Sequence, residues 1–131
     1  GTYVLLASGL EDKDIILAVK AGKKKNLSAK EVSEYTAQVI ARIVAELNLN
    51  AVAGLILTGG DTAVHVLRLL KAEKIKILAE VAPGIPLGSI EGGVCDGKMV
   101  VTKAGAFGEK DCFVKALKII REEESGQLQL G

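Results

Sequence analysis

The sequence predicts an α/β fold of three layers, a mostly parallel sheet flanked by helices. Three observations carry this. Short apolar runs at residues 14–19 and 52–57 have the length and aliphatic content of buried strands, and residues 75–81, which alternate imperfectly, read as a third. Segments with apolar residues at i, i+3, i+4 spacing lie between them and read as helices. Glycine-rich turns follow the strands and separate one unit from the next.

The elements follow in order. Residues 14–19 read as a first strand, and 21–26, with its lysine triplet, as a solvated loop. Ser28-Ala29-Lys30-Glu31 is a capping box, in which the serine hydroxyl takes the N3 amide and the glutamate reaches back to the cap amide. The helix it opens carries Val32, Tyr35, Val39, Ile40, Ile43, Val44 and Leu47 as one expected apolar stripe, and residues 48–50 are expected to end it. Residues 52–57 read as a second strand, 58–62 as a tight turn, 63–71 as a helix and 75–81 as a third strand. Residues 82–93 hold both prolines and read as a long shaped loop. Asp96-Gly97 is expected to turn a hairpin between residues 93–95 and a strand over 98–102. A second glycine-rich turn, 103–108, leads to a last helix over 111–123, with Phe113, Leu117 and Ile120 inward and Glu109 and Asp111 at its positive end. Residues 125–131 are polar and expected to fray.

Composition bounds what such a domain does. The 131 residues fit one domain, and 49% hydrophobic with 25% charged residues is globular. The core is aliphatic, because aromatics are 3% and tryptophan is absent. A net charge of +1 forces no basic face, so no nucleic-acid partner is expected. No apolar run approaches the roughly 20 residues of a membrane span, and residues 1–10 do not read as a signal peptide. Cys95, Cys112 and His65 are too few and too scattered for a zinc site. Two isolated thiols suit a reducing cytoplasm.

Three loops are candidates for chemistry: 58–62, 82–93 and 103–108. Each follows an expected strand, so in a parallel sheet all three lie at the carboxyl edge, where ligands bind. Gly59-Gly60 lets a ligand approach the backbone, and the first amides of the next helix are placed for a phosphate. Asp61 repels phosphate but can hold Mg²⁺ bridging phosphate oxygens, and Thr62 adds a hydroxyl. The turn chemistry alone also accounts for these residues, with Asp61 as helix N-cap. Lys103 supplies a point charge, Gly105 and Gly108 free the backbone, and Phe107 either stacks on a base or plugs the core. His65, one turn into its helix, is an acid–base candidate or a packing residue. Gly92, Gly97 and Lys98 satisfy G-x-x-x-x-G-K, but Met99 follows inside a strand, so a phosphate-binding P-loop is rejected.

Leu55 to Ala63, with Thr58-Gly59-Gly60-Asp61-Thr62 at its centre, resembles the Gly-Gly-Asp-Thr stretch of the four-carbon acid sugar kinase family. Ala82 to Gly88 resembles its Pro-Gly-Val-Pro loop, and Val101 to Gly108 its Lys-(Ser/Ala)-Gly-x-Phe-Gly motif. The likeness covers roughly residues 10–120. It implies the C-terminal nucleotide-binding domain of a cytoplasmic, two-domain kinase that phosphorylates threonate, erythronate or 3-oxo-tetronate with ATP. Residues 1–131 would be that single domain, truncated, without the N-terminal domain that holds the sugar acid. The implied nucleotide contacts are Thr58, Gly59, Gly60, Asp61, Thr62, Lys103, Ala104, Gly105, Ala106, Phe107 and Gly108, with Asp61 on Mg²⁺ and no catalytic residue in this chain. The family's opening Gly-Ser-x-Ser turn has no counterpart before Asp14, and Ala106 stands where glycine or asparagine is usual. This chain alone is expected to be inactive. The alternative is a non-catalytic α/β ligand-binding or interaction module. An exposed sheet edge predicts a homodimer.

Overall fold

The computed structural model describes residues 12–104, 111–124 and 126. Helix α1 spans Asp12–Lys24 and α2 Ala29–Ala45. A single 3₁₀ turn, Leu49–Ala51, leads into strand β1, Gly54–Thr58. Then come α3 (Gly60–Leu69), β2 (Lys74–Ala82), β3 (Ile85–Glu91), β4 (Met99–Lys103) and α4 (Cys112–Glu124).

The four strands form one sheet in the order β1-β4-β3-β2. β1 and β4 pair in parallel, whereas β3 is antiparallel to both β4 and β2. Three strands therefore run in one direction and β3 alone is reversed, which makes the sheet mixed. Side chains alternate between its faces, and each face has its own core. On one, Leu57, Ile90 and Val100 meet Val66 and Leu70 of α3, with Ala41 and Val44 of α2 behind. On the other, Ile85, Leu87, Met99 and Val101 meet Cys112, Ala116 and Ile120 of α4. The three layers are thus as expected. Each fully buried leucine or isoleucine stabilises them by roughly 1.5–3 kcal/mol.

The capping box forms. Glu31 N–H donates to Ser28 Oγ at 3.2 Å, and Ser28 N–H donates to Glu31 Oε1 at 3.2 Å. The buried stripe of α2 is Ala37, Ala41 and Val44. Tyr35, Ile43 and Leu47 of the expected stripe are exposed instead. Small residues let α2 lie close against α3, and bulk alone does not choose the inward face. The helix stops at Glu46, and Asn48 opens the 3₁₀ turn rather than ending α2.

Residues 14–19, expected as a strand, lie inside α1, which also takes up residues 21–24 of the expected loop. Ile16 and Leu17 are exposed, so the apolar run is not a buried strand. A short apolar run does not separate strand from helix by period, and the lysines and alanines around it favour helix. Lys23 and Lys24 suit the negative end of the helix. Asn26, at φ 58°, closes it, with Leu27 N–H donating to Gly22 O and Asn26 N–H to Lys23 O.

The expected loop over residues 82–93 is mostly strand. Pro83-Gly84 makes a two-residue turn joining β2 to β3, with proline fixing one φ and Gly84 taking φ 78°. Pro86 is tolerated because the β3–β4 ladder begins only at Leu87, and β2 shifts register opposite it. Asp96-Gly97 does turn the chain back toward β4, with Gly97 N–H donating to Ile90 O at 2.7 Å. The strand entering that turn is β3, however, and residues 93–95 belong to the connection. In α4 the inward residues are Cys112, Ala116 and Ile120, while Phe113 is exposed and Leu117 half-buried. Glu109 and residues 125 and 127–131 lie outside the described residues. Cys95 and Cys112 are free and buried, and burial pushes the Cys95 thiol up from its ordinary pKa, against a smaller opposing pull from Lys98.

Candidate functional site

The parallel pairing of β1 and β4 builds one sheet edge. Thr58 stands opposite Lys103, so both strands end side by side. Gly59 N–H donates to Lys103 O at 2.9 Å, which carries the ladder one residue further. Gly59 then takes φ 89°, a conformation that side chains rarely adopt, and swings the chain into α3.

That helix opens without a side-chain cap: Gly59 is the N-cap, and among the described residues no hydroxyl or carboxylate bonds the first amides. The expectation of Asp61 as N-cap is thereby corrected, since the helix begins at Gly60, before Asp61. Ala63 N–H to Gly59 O is the first backbone hydrogen bond, at 3.0 Å. The amides of Gly60, Asp61 and Thr62 precede it and point out of the helix end, where partial positive charge favours an anion. A Cβ on Gly60 would meet nothing within 4 Å. Among the described residues, neither sterics nor backbone strain requires glycine at that position.

Asp61 is exposed, and Ser33 Oγ of α2 donates to its Oδ2 at 3.3 Å. Ser33 was missing from the sequence-derived candidates. Nothing local marks a polar residue on an exposed helical face, 28 residues away, as a neighbour of Asp61. Thr58 is exposed and Thr62 half-buried at the same edge. Lys103 is half-buried, donates from Nζ to Ala104 O at 3.2 Å, and lies 5.9 Å from the ring centroid of Phe113. Gly105, Ala106, Phe107 and Gly108 fall outside the described residues. The turn Pro83-Gly84 joins this edge as well, because β2 runs parallel in direction to β4 and β3 returns from it.

Among the described residues no group of three or more His, Cys, Asp or Glu can hold a metal. Asp61 offers one carboxylate, with the Ser33 hydroxyl 3.3 Å away and Thr62 next to it in the chain. Such a donor set suits Mg²⁺, which is bound through one or two carboxylates, water and phosphate oxygens rather than by an all-protein cage.

His65 belongs elsewhere. It is half-buried and lines a shallow cavity of about 310 Å³ between α2 and α3, with Gln38, Arg42 and Arg68. Lys98, from the rejected P-loop pattern, donates from Nζ to Val52 O at 2.7 Å and ties the entry of β4 to the chain before β1. That contact lies at the opposite edge of the sheet, beside a cavity of about 320 Å³.

The family profile described as "Nucleotide-binding C-terminal domain" matches residues 1–113. The chain is 40% identical over 108 residues to a D-threonate kinase of Bordetella bronchiseptica, covering 82% of this chain and 26% of that protein. It is 36% identical over 117 residues to a D-threonate kinase of Salmonella typhimurium, covering 88% and 27%. The chain thus spans about a quarter of the length of these relatives. A solved Bordetella bronchiseptica structure, described as a domain-swapped dimer with bound citrate, superposes with a TM-score of 0.59. That match has 43% identity and covers 73% of this chain and 24% of the other. No helix among the described residues is long and apolar enough to cross a membrane.

Proposed function

The chain belongs to the family of nucleotide-binding C-terminal domains of four-carbon acid sugar kinases, and from that premise we propose that it holds ATP at the edge formed by β1 and β4. The observation that carries the reading is the uncapped start of α3 beside the end of β4. The Gly60, Asp61 and Thr62 amides face the phosphates, Gly59 sets the turn, and Thr58 and Thr62 add hydroxyls at its margins. Lys103 and Ala104, at the end of β4, and Gly105, Ala106, Phe107 and Gly108 of the same motif supply the remaining nucleotide contacts in this reading. Asp61 is the protein's contact to Mg²⁺. When bound, that ion neutralises charge on the phosphate oxygens.

In this reading residues 1–131 are the nucleotide domain of a two-domain cytoplasmic kinase. The complete enzyme transfers the terminal phosphoryl group of ATP to an alcohol of a four-carbon sugar acid such as threonate. This chain contributes positioning and charge neutralisation. The sugar acid and the base that takes the alcohol proton belong to the substrate domain. A homodimer joined along an open strand edge completes the proposal, and the domain-swapped dimer of the Bordetella relative is in keeping with it.

Calorimetric titration with ATP and Mg²⁺ tests the site. Gly60→Val is the diagnostic variant, because a Cβ there meets none of the described residues within 4 Å and the fold is expected to persist, as its melting temperature would show. Saturable binding by the natural chain, weakened at least about tenfold by Gly60→Val, is the expected result, equal to about 1.4 kcal/mol. Equal affinity in the two proteins would remove the nucleotide from the start of α3.

A further inference from the structure

We propose that Ser33 is a positioning residue for the carboxylate of Asp61, holding it ready for a divalent cation and away from the amides that receive phosphate. The inference rests on the reading of Asp61 as the Mg²⁺ contact.

An aspartate in the first turn of a helix has a competing use. Its carboxylate can fold back onto nearby backbone amides, as capping side chains do. Here that would cover the Gly60–Thr62 amides with negative charge and close the phosphate site. The structure shows no such cap: Asp61 Oδ2 instead accepts from Ser33 Oγ at 3.3 Å. Oδ1 keeps no hydrogen bond or ion pair among the described residues. One oxygen is turned toward α2, and the other remains for a cation.

The hydroxyl of Ser33 also departs from its local default. Ser and Thr within helices commonly bond the carbonyl four residues back. Thr36, on the same helix, does this, donating from Oγ1 to Val32 O at 2.9 Å. Ser33 reaches across to α3 instead. Its own backbone is well fixed, since the Ser28–Glu31 capping box secures the first turn of α2 and the alanine face of α2 packs against α3.

Stability does not account for the bond. Both residues are exposed, and a hydrogen bond open to water contributes little to folding. Alanine is the better helix former at such a position, so Ser33→Ala is not expected to unfold α2. What the substitution changes is the direction of the Asp61 carboxylate.

The test is titration of the chain with ATP at graded Mg²⁺ and again in EDTA, for the natural protein, Ser33→Ala, Ser33→Thr and Asp61→Asn, each with its melting temperature. Ser33→Ala is expected to weaken the Mg²⁺-dependent part of binding roughly three- to tenfold, with binding in EDTA and the melting temperature unchanged. Ser33→Thr, which keeps a hydroxyl, is expected to restore it. Mg²⁺ dependence lost in Asp61→Asn but intact in Ser33→Ala would overturn the role of Ser33 and leave that of Asp61 standing. Unchanged Mg²⁺ dependence in Asp61→Asn, or no ATP binding by the natural chain, would overturn the reading of Asp61 and this proposal together.

Discussion

Gly59 and Gly60 are neighbours with different reasons to be glycine. Gly59 is fixed by its backbone: φ 89° and ψ 127° place it where a side chain is strained, and its amide is committed to Lys103 O. Gly60 carries no such constraint, and none of the described residues comes within 4 Å of where its Cβ would stand. The first glycine therefore shapes the turn, and the second keeps it bare for a ligand. Gly59→Ala is expected to lower stability by about 1–3 kcal/mol, read as a shift of the denaturation midpoint in urea. A change below about 0.5 kcal/mol would show that the turn relaxes around a side chain. Both glycines were legible as a strand-to-helix turn because Gly-Gly between an apolar run and a helical stripe has few other uses. Ser33 was not legible, because its role depends on a helix packing that no local pattern announces.

Helix ends show how far local chemistry reaches. The start of α2 was readable in full, since a capping box is a short-range device whose partners are fixed by spacing. The end of α3 is less conventional. Lys71 occupies the left-handed position at φ 58°, with Lys71 N–H donating to Arg68 O and Ala72 N–H to Leu67 O. Glycine is the usual residue there. Lys71→Gly is expected to raise stability by roughly 0.5–1 kcal/mol, measured by chemical denaturation; a loss of stability would mean that the lysine side chain contributes more than its backbone costs. The β2–β3 hairpin was misread as a loop because both prolines and Gly84 stand near its turn. Proline disfavours strand interiors, yet Pro83 serves the turn, and Pro86 lies beyond the β3–β4 ladder, so its missing N–H costs no bond to β4.

At the scale of the molecule, the sheet of the described residues has β1 and β2 at its edges. β2 is protected by exposed Lys74, Lys76 and Glu80 and by two register shifts. Lys74 pairs with Glu91 at 2.8 Å, and that hydrogen bond and charge raise its pKa above the ordinary value. This surface pair is worth little to folding. β1 carries no charge over Gly54–Thr58, and nothing among the described residues pairs with its outer side. It is the edge best suited to join a second strand. Sedimentation equilibrium is expected to show a homodimer at tens of micromolar. A natural chain that stays monomeric would remove the proposed interface.

The sequence by itself determined the α/β class, the capping of α2, the Gly-Gly-Asp-Thr turn and the place of Lys103 at a strand end. These rest on contacts a few residues apart, or on periods that repeat along one element. Tertiary structure alone decided that residues 14–19 are helix, that β3 runs against its neighbours, that the alanines of α2 face inward, and that Ser33 meets Asp61. Each of these depends on which surface another element presents, and a short apolar run or an exposed serine is compatible with several such surfaces until packing selects one.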